Sequence, residues 1–97
     1  MTTHEAYLDH ARSADLTDRN AFRSLVRDGL DLTGISLREA AEQLSTAPGT
    51  VSRWVNGHSA PAVVARRAIV DFFSARVRRI VKRAGRTSRR LPEAEVA

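Results

Sequence analysis

Residues 36–61 read SLREAAEQLSTAPGTVSRWVNGHSAP, and this stretch decides the fold. It opens on Ser36-Leu37-Arg38-Glu39, a capping box. The Ser36 hydroxyl can accept from the Glu39 amide while the Glu39 carboxylate returns to the Ser36 amide. Leu37, Ala40, Ala41 and Leu44 then make one apolar stripe, which predicts a helix of about two turns ending near Ser45. A second helix opens at Pro48, whose missing N–H is not needed in a first turn. It stops at Asn56-Gly57, because glycine takes the left-handed conformation of a helix end without a steric penalty. At about 100° per residue, Val51, Trp54 and Val55 fall on one side of that helix and Gly49, Ser52, Arg53 and Asn56 on the other. Two short helices joined by about three residues, each burying one stripe, match the pattern of a helix-turn-helix.

Upstream, residues 18–32 form an amphipathic helix, with Phe22, Leu25, Val26, Gly29 and Leu30 at helical spacing and Asp18 as its cap. Gly34 ends it. Residues 3–14 fit a short helix with Tyr7, Leu8 and Ala11 on one side, though the apolar content is thin. Downstream of Pro61, Val63, Ile69, Val70, Phe73, Val77, Ile80, Val81 and Ala84 share a stripe, opposite Arg67, Arg76, Arg78, Arg79, Lys82 and Arg83. Val63, Val70, Val77 and Ala84 are compatible with a short self-associating seam. The pattern fits equally well two ordinary helices on one core, with a bend near Ser74. Arg66 falls inside the stripe, which argues for a break or partial exposure there. No strand signal occurs.

The predicted fold is therefore all-α: a compact bundle of about five helices with a long basic C-terminal helix. It divides into an N-terminal extension (1–17), a helix-turn-helix domain (18–75), a basic helical extension (76–85) and a flexible tail (86–97).

Ninety-seven residues leave room for one core. The chain lacks cysteine, which excludes disulfides and thiolate metal sites. No apolar run approaches the ~20 residues of a membrane span. No export signal follows Met1, so a cytoplasmic location is expected. Sixteen basic residues against eleven acidic ones give a net +5. Residues 1–50 hold five arginines and eight acids, a net −3, whereas residues 51–97 hold eleven basic groups and three acids, a net +8. Charge so concentrated suggests an acidic partner, by default nucleic acid.

Residues 36–61 resemble the lambda-repressor-like helix-turn-helix family, the Cro/repressor or XRE type. The resemblance rests on Ala41 in the first helix, Val51 in the second, the ending Ser52-Arg53-Trp54-Val55-Asn56-Gly57, and Pro61. With residues 18–32 as its first helix, it spans roughly residues 18–75. The sequence departs from the family at three places. Ser45 stands where the turn commonly has glycine, Ala47 where the second helix commonly has a Ser or Thr cap, and Val55 where a glutamate is frequent. Thr46 is an alternative cap if the helix starts one residue early.

The resemblance implies a sequence-specific DNA-binding regulator of transcription, a small dimeric repressor or autoregulator of bacterial, phage or mobile-element type on an inverted-repeat operator. The second helix would lie in the major groove of double-stranded DNA. Pro48, Gly49, Ser52 and Arg53 match the base-facing positions, with Arg53 suited to the two acceptors of a guanine edge. Ser36, Leu37, Thr46, Thr50, Asn56 and His58 match backbone-contacting positions. Arg67, Arg79, Lys82, Arg83 and Arg86 would add sequence-independent attraction. If about six phosphates are neutralised, log K falls with log salt at a slope of about −5. Val70, Phe73, Val77, Ile80 and Val81 are the candidate homodimer interface. Trp54 reads as core, because five aromatic residues in all make a base-stacking platform implausible.

Nothing predicts catalysis. His4, His10 and His58 pair with no carboxylate at metal-ligand spacing, and no glycine loop for phosphate occurs, so neither enzyme activity, cofactor nor metal is expected. The competing reading is a protein-interaction module, an antiactivator or antitoxin-like partner that keeps the helix-turn-helix as scaffold for a protein partner. A third is nonspecific nucleic-acid binding through the arginine-rich tail.

Overall fold

The computed structural model describes the backbone of residues 3–96 and the side chains of residues 3–85. Five helices follow one another: α1 (Thr3–Ser13), α2 (Arg19–Thr33), α3 (Leu37–Gln43), α4 (Pro48–Asn56) and α5 (Val63–Val96). The described residues contain no strand, so the chain is the expected all-α bundle.

The caps that punctuate the sequence hold these boundaries. Asp18 accepts from the Asn20 amide at 2.9 Å and starts α2. Gly34, at φ 71°, donates its N–H to the Leu30 carbonyl and ends it. The Ser36 hydroxyl accepts from the Glu39 amide at 3.0 Å, the forward half of the capping box. The return half is not made. The Glu39 carboxylate lies instead 3.8 Å from Arg76 and ties α3 to α5.

α5 packs against α2 and α1, and α4 packs against α3 and α2. The core gathers Tyr7 and Ala11 of α1, Phe22, Leu25 and Val26 of α2, Ala40 and Ala41 of α3, Val51 and Trp54 of α4, and Ile69, Val70, Phe73 and Val77 of α5. α1 thus belongs to the same core as the rest. Its thin apolar face is supplemented by two polar devices. The Tyr7 hydroxyl, buried, donates to the Leu25 carbonyl at 2.8 Å. Arg67 donates to the Ala11 carbonyl at 2.8 Å, near the end of α1. The helices meet closely at Gly29, where an added Cβ would lie 2.8 Å from both Phe73 Cγ and the Tyr7 hydroxyl. Glycine is required there by the approach of two neighbours.

The last helix corrects several expectations. It is one continuous helix through both Arg66 and Ser74, with no break at either. Arg66 is buried, not partly exposed, because backbone carbonyls surround it. Its Nε donates to Pro61 O at 2.8 Å, and its Nη1 donates to Leu16 O at 2.8 Å and to Thr17 O at 3.3 Å. The guanidinium also stands 5.9 Å from the centroid of the Phe22 ring. The boundary drawn at residue 75 falls inside this helix, and Val77 beyond it is still fully buried. Residues 86–97, expected to form a flexible tail, lie outside the described side chains.

The proposed self-associating seam fares differently. Val70, Phe73 and Val77 have no exposed surface, because they pack against α1 and α2 of their own chain. They are core and unavailable to a second copy. Ile80 and Val81 are half-buried. Val63, at the other end of the stripe, is 47% exposed.

Candidate nucleic-acid interface

The turn between α3 and α4 positions the candidate site. It occupies residues 44–47. Thr46 N–H donates to the Ala41 carbonyl at 2.9 Å and Ser45 N–H to Glu42 at 3.2 Å, the paired bonds of a Schellman ending. That ending needs a left-handed residue, and Ser45 supplies it at φ 56°. It is the one described residue other than glycine with positive φ. The position where the resembled family commonly has glycine is therefore the position whose backbone favours it.

α4 starts at Pro48. Ala47 is its N-cap and makes no side-chain bond to the first turn, and Thr46 does not replace it. The far end is firmer. Gly57 takes φ 79°, and His58 N–H closes on the Arg53 carbonyl at 2.9 Å. Arg23 of α2 reaches across and donates its Nε to the Val55 carbonyl at 2.8 Å. Val51 and Trp54 anchor the inner face, and Trp54 meets Phe22 edge-on at 6.0 Å between centroids. Trp54 is thus core, as its spacing indicated.

The outer face carries the residues singled out in the sequence. Pro48, Gly49 and Arg53 are exposed, and Ser52 is half-buried. No atom lies within 4 Å of a Cβ placed on Gly49, so the backbone there is open to close approach. Asn56 Nδ2 donates to Ser52 Oγ at 3.3 Å, so these two polar groups sit side by side one turn apart. Arg53 forms neither an ion pair nor a hydrogen bond among the described residues. Its guanidinium is a free cation on the outer face of a helix anchored on the other. Ser36 and Leu37 are exposed at the start of α3, Asn56 and His58 are exposed at the end of α4, and Thr46 and Thr50 are half-buried between them.

The basic residues of α5 divide. Arg67, expected to attract phosphate, serves α1: besides the Ala11 carbonyl it pairs with Asp71 at 3.6 Å. Arg76 joins Glu39 and stacks 5.3 Å from the centroid of Phe72. Arg79, Lys82 and Arg83 are exposed beyond the core. Arg86 lies outside the described side chains.

Two arginines of α2 were missed by the sequence reading. Arg19 and Arg23 line a cavity of about 270 Å³ with Asn20, Phe22, Trp54, Gly57, Ser59 and Ala60, beside the C-terminal end of α4. Their i, i+4 spacing places them on one face of α2, but nothing local ties that face to residues more than thirty positions away. A larger cavity of about 390 Å³ lies between α1 and α2. Asp28 and Asp31 line it with Tyr7 and His10, so its charge suits no polyanion. Among the described residues, no three His, Asp or Glu side chains gather as a metal site. No helix there is long and apolar enough to cross a membrane.

Compared with known protein families, curated proteins and solved structures, the chain gives no match.

Proposed function

We propose that this chain is a sequence-specific double-stranded DNA-binding regulator of transcription, with α3 and α4 as its helix-turn-helix and α4 as the helix that enters the major groove. One observation carries the reading: Arg53 stands unpartnered among the described residues, on the outer face of a helix whose inner face is fixed by Val51, Trp54 and the Arg23 clamp. A solvated arginine on a loosely held element selects nothing. A free guanidinium on an oriented helix can pair with both acceptors of a guanine, which contributes about 1–3 kcal/mol of discrimination. Ser52 and Asn56 extend the polar face, Gly49 lets the backbone approach, and Pro48 offers an apolar contact to a thymine methyl. Exposed Ser36, Leu37 and His58, with Thr46 and Thr50, flank that face as phosphate contacts, and Arg79, Lys82 and Arg83 add general attraction.

One such helix reads few base pairs, so the reading includes two copies on an inverted repeat. Ile80 and Val81 remain from the earlier interface for that contact. On this reading the protein acts in the cytoplasm of a bacterial cell, controlled by its own concentration or by a protein partner.

The test is selection from random duplex DNA at about 150 mM salt, where nonspecific attraction is weakened. An enriched inverted repeat, lost for Arg53→Ala, is the expected result. Duplex binding with no enriched motif reduces the protein to a nonspecific binder. Absence of all duplex binding overturns the reading.

A further inference from the structure

The cavity beside the end of α4 is cationic in an unusual way. Two arginines enter its wall, Arg19 exposed and Arg23 half-buried, and no carboxylate does. Like charges at i, i+4 repel on a helix, so the pair is not there for the stability of α2. Arg23 is held rather than mobile. Its Nε is fixed on the Val55 carbonyl, and its Cδ and Nη1 lie 3.5 Å from where a Cβ of Gly57 would stand. A Cβ at residue 57 would make ordinary van der Waals contact with this guanidinium. Val55 gives it a carbonyl but no opposing charge, and Arg23 has no ion pair among the described residues. The nearest acid along the chain, Asp18, is engaged with the Asn20 amide at 2.9 Å and does not line the cavity. Arg19 likewise has no ion pair. Asn20 and Ser59 complete the wall with neutral donors, while Trp54 and Phe22 form its apolar back.

A pre-oriented guanidinium, a second one a turn away and two neutral donors are the groups that recognise a tetrahedral oxyanion. The notch is continuous with the end of α4, where Asn56 and His58 are exposed. We infer that the Arg19–Arg23 notch seats a backbone phosphate of the duplex bound by α4 and sets the angle at which that helix enters the groove. This inference rests on the DNA-binding reading and names a contact that the reading does not contain.

The experiment measures affinity for the selected duplex and for a scrambled duplex across a salt series, with wild type, Arg19→Ala and Arg23→Gln. Circular dichroism and thermal melting check that each variant is folded. Arg23→Gln removes a bond to Val55 and can loosen α4, whereas Arg19 is exposed and without such a bond, so Arg19→Ala carries the test alone if the other variant unfolds. The expected result is an equal several-fold loss on both duplexes, with a salt slope shallower by about 0.9 for the lost phosphate. Arg53→Ala, by contrast, weakens only the selected duplex and leaves the slope unchanged. A folded Arg19→Ala with wild-type affinity and slope overturns the notch while DNA binding stands. Wild type without affinity for any duplex overturns both. A titration with inorganic phosphate, followed by the Arg19 and Arg23 Nε resonances, separates the remaining source. Saturation by free phosphate combined with an unchanged slope assigns the notch to a free anion and overturns the inference.

Discussion

The arginines of α5 and the arginine of α4 look alike in the sequence and do opposite things in the fold. Over its first four turns α5 commits its guanidiniums to groups of its own fold. Arg66 is buried against three carbonyls, Arg67 reaches the Ala11 carbonyl of α1, and Arg76 bridges to Glu39 of α3. On α4, Arg53 has neither an ion pair nor a hydrogen bond among the described residues. A net charge of +8 over residues 51–97 therefore overstates the attraction available to a polyanion, since part of it holds helices together. What matters is whether the guanidinium already has acceptors.

The contrast is sharpest in the effect of removing each charge. Arg66→Leu deletes a buried cation and leaves the Leu16 and Pro61 carbonyls without their donor. Hydrogen bonds to charged groups contribute about 1.5–3 kcal/mol each, and an orphaned acceptor adds to the cost. We expect a loss of about 2–4 kcal/mol in chemical denaturation, with DNA affinity falling only through unfolding. Arg53→Ala should change the same measurement by less than about 0.5 kcal/mol, as for an exposed site without partners. Equal losses for the two variants would erase the distinction between the regions.

The chain's local features were readable where a cap or breaker carries its own physics. Asp18, Ser36, Pro48 and Gly57 each act within four residues, and each ends or starts a helix where expected. The face of α4 followed from spacing alone, as did Trp54 as core. Contacts across the fold were not readable. Arg66 stood out as a charge in an apolar stripe, but its acceptors on residues 16 and 17 lie about fifty positions away, and no periodicity points to them. The stripe of Val70, Phe73 and Val77 was visible, yet a stripe does not say what covers it. A second copy and the chain's own core fitted it equally well, and α2 and α1 cover it, the latter a helix whose few apolar residues understate its role. Arg23 was read only as a member of an amphipathic helix, since its partner Val55 is 32 residues distant.

The turn before α4 offers a smaller and opposite effect. Ser45 holds φ 56°, which costs an L-residue about 1–2 kcal/mol, and its hydroxyl makes no compensating bond. Glycine removes that penalty and adds about 0.5–1 kcal/mol of unfolded-state entropy. Ser45→Gly should therefore raise stability by about 0.5–1 kcal/mol, seen as a higher denaturation midpoint. It should also leave selectivity intact, because the α4 face does not change. A stability loss would mean that the Ser45 side chain supports the turn in a way the geometry does not contain.

The packing region carries a pH signature at Tyr7. Burial withdraws the Tyr7 phenol from water and the Asp28 carboxylate opposes its ionisation, so its pKa lies well above the ordinary value near 10. A raised folded-state pKa means that the native state favours the protonated phenol. That contribution is complete below pH ~10 and is lost as the pH climbs past it toward the folded value, because only the unfolded chain then ionises freely. Composition isolates the effect: the chain has one tyrosine and a single lysine, and arginine stays charged throughout. Wild type should lose denaturation midpoint between about pH 9 and pH 11, with tyrosinate absorbance rising as it unfolds. Tyr7→Phe forfeits the hydrogen bond to Leu25 and starts about 1 kcal/mol less stable. Its midpoint should then stay nearly level over the same range, so the two curves converge as the pH rises. Parallel decline of both proteins would place the alkaline sensitivity elsewhere and remove Tyr7 as the lock between α1 and α2.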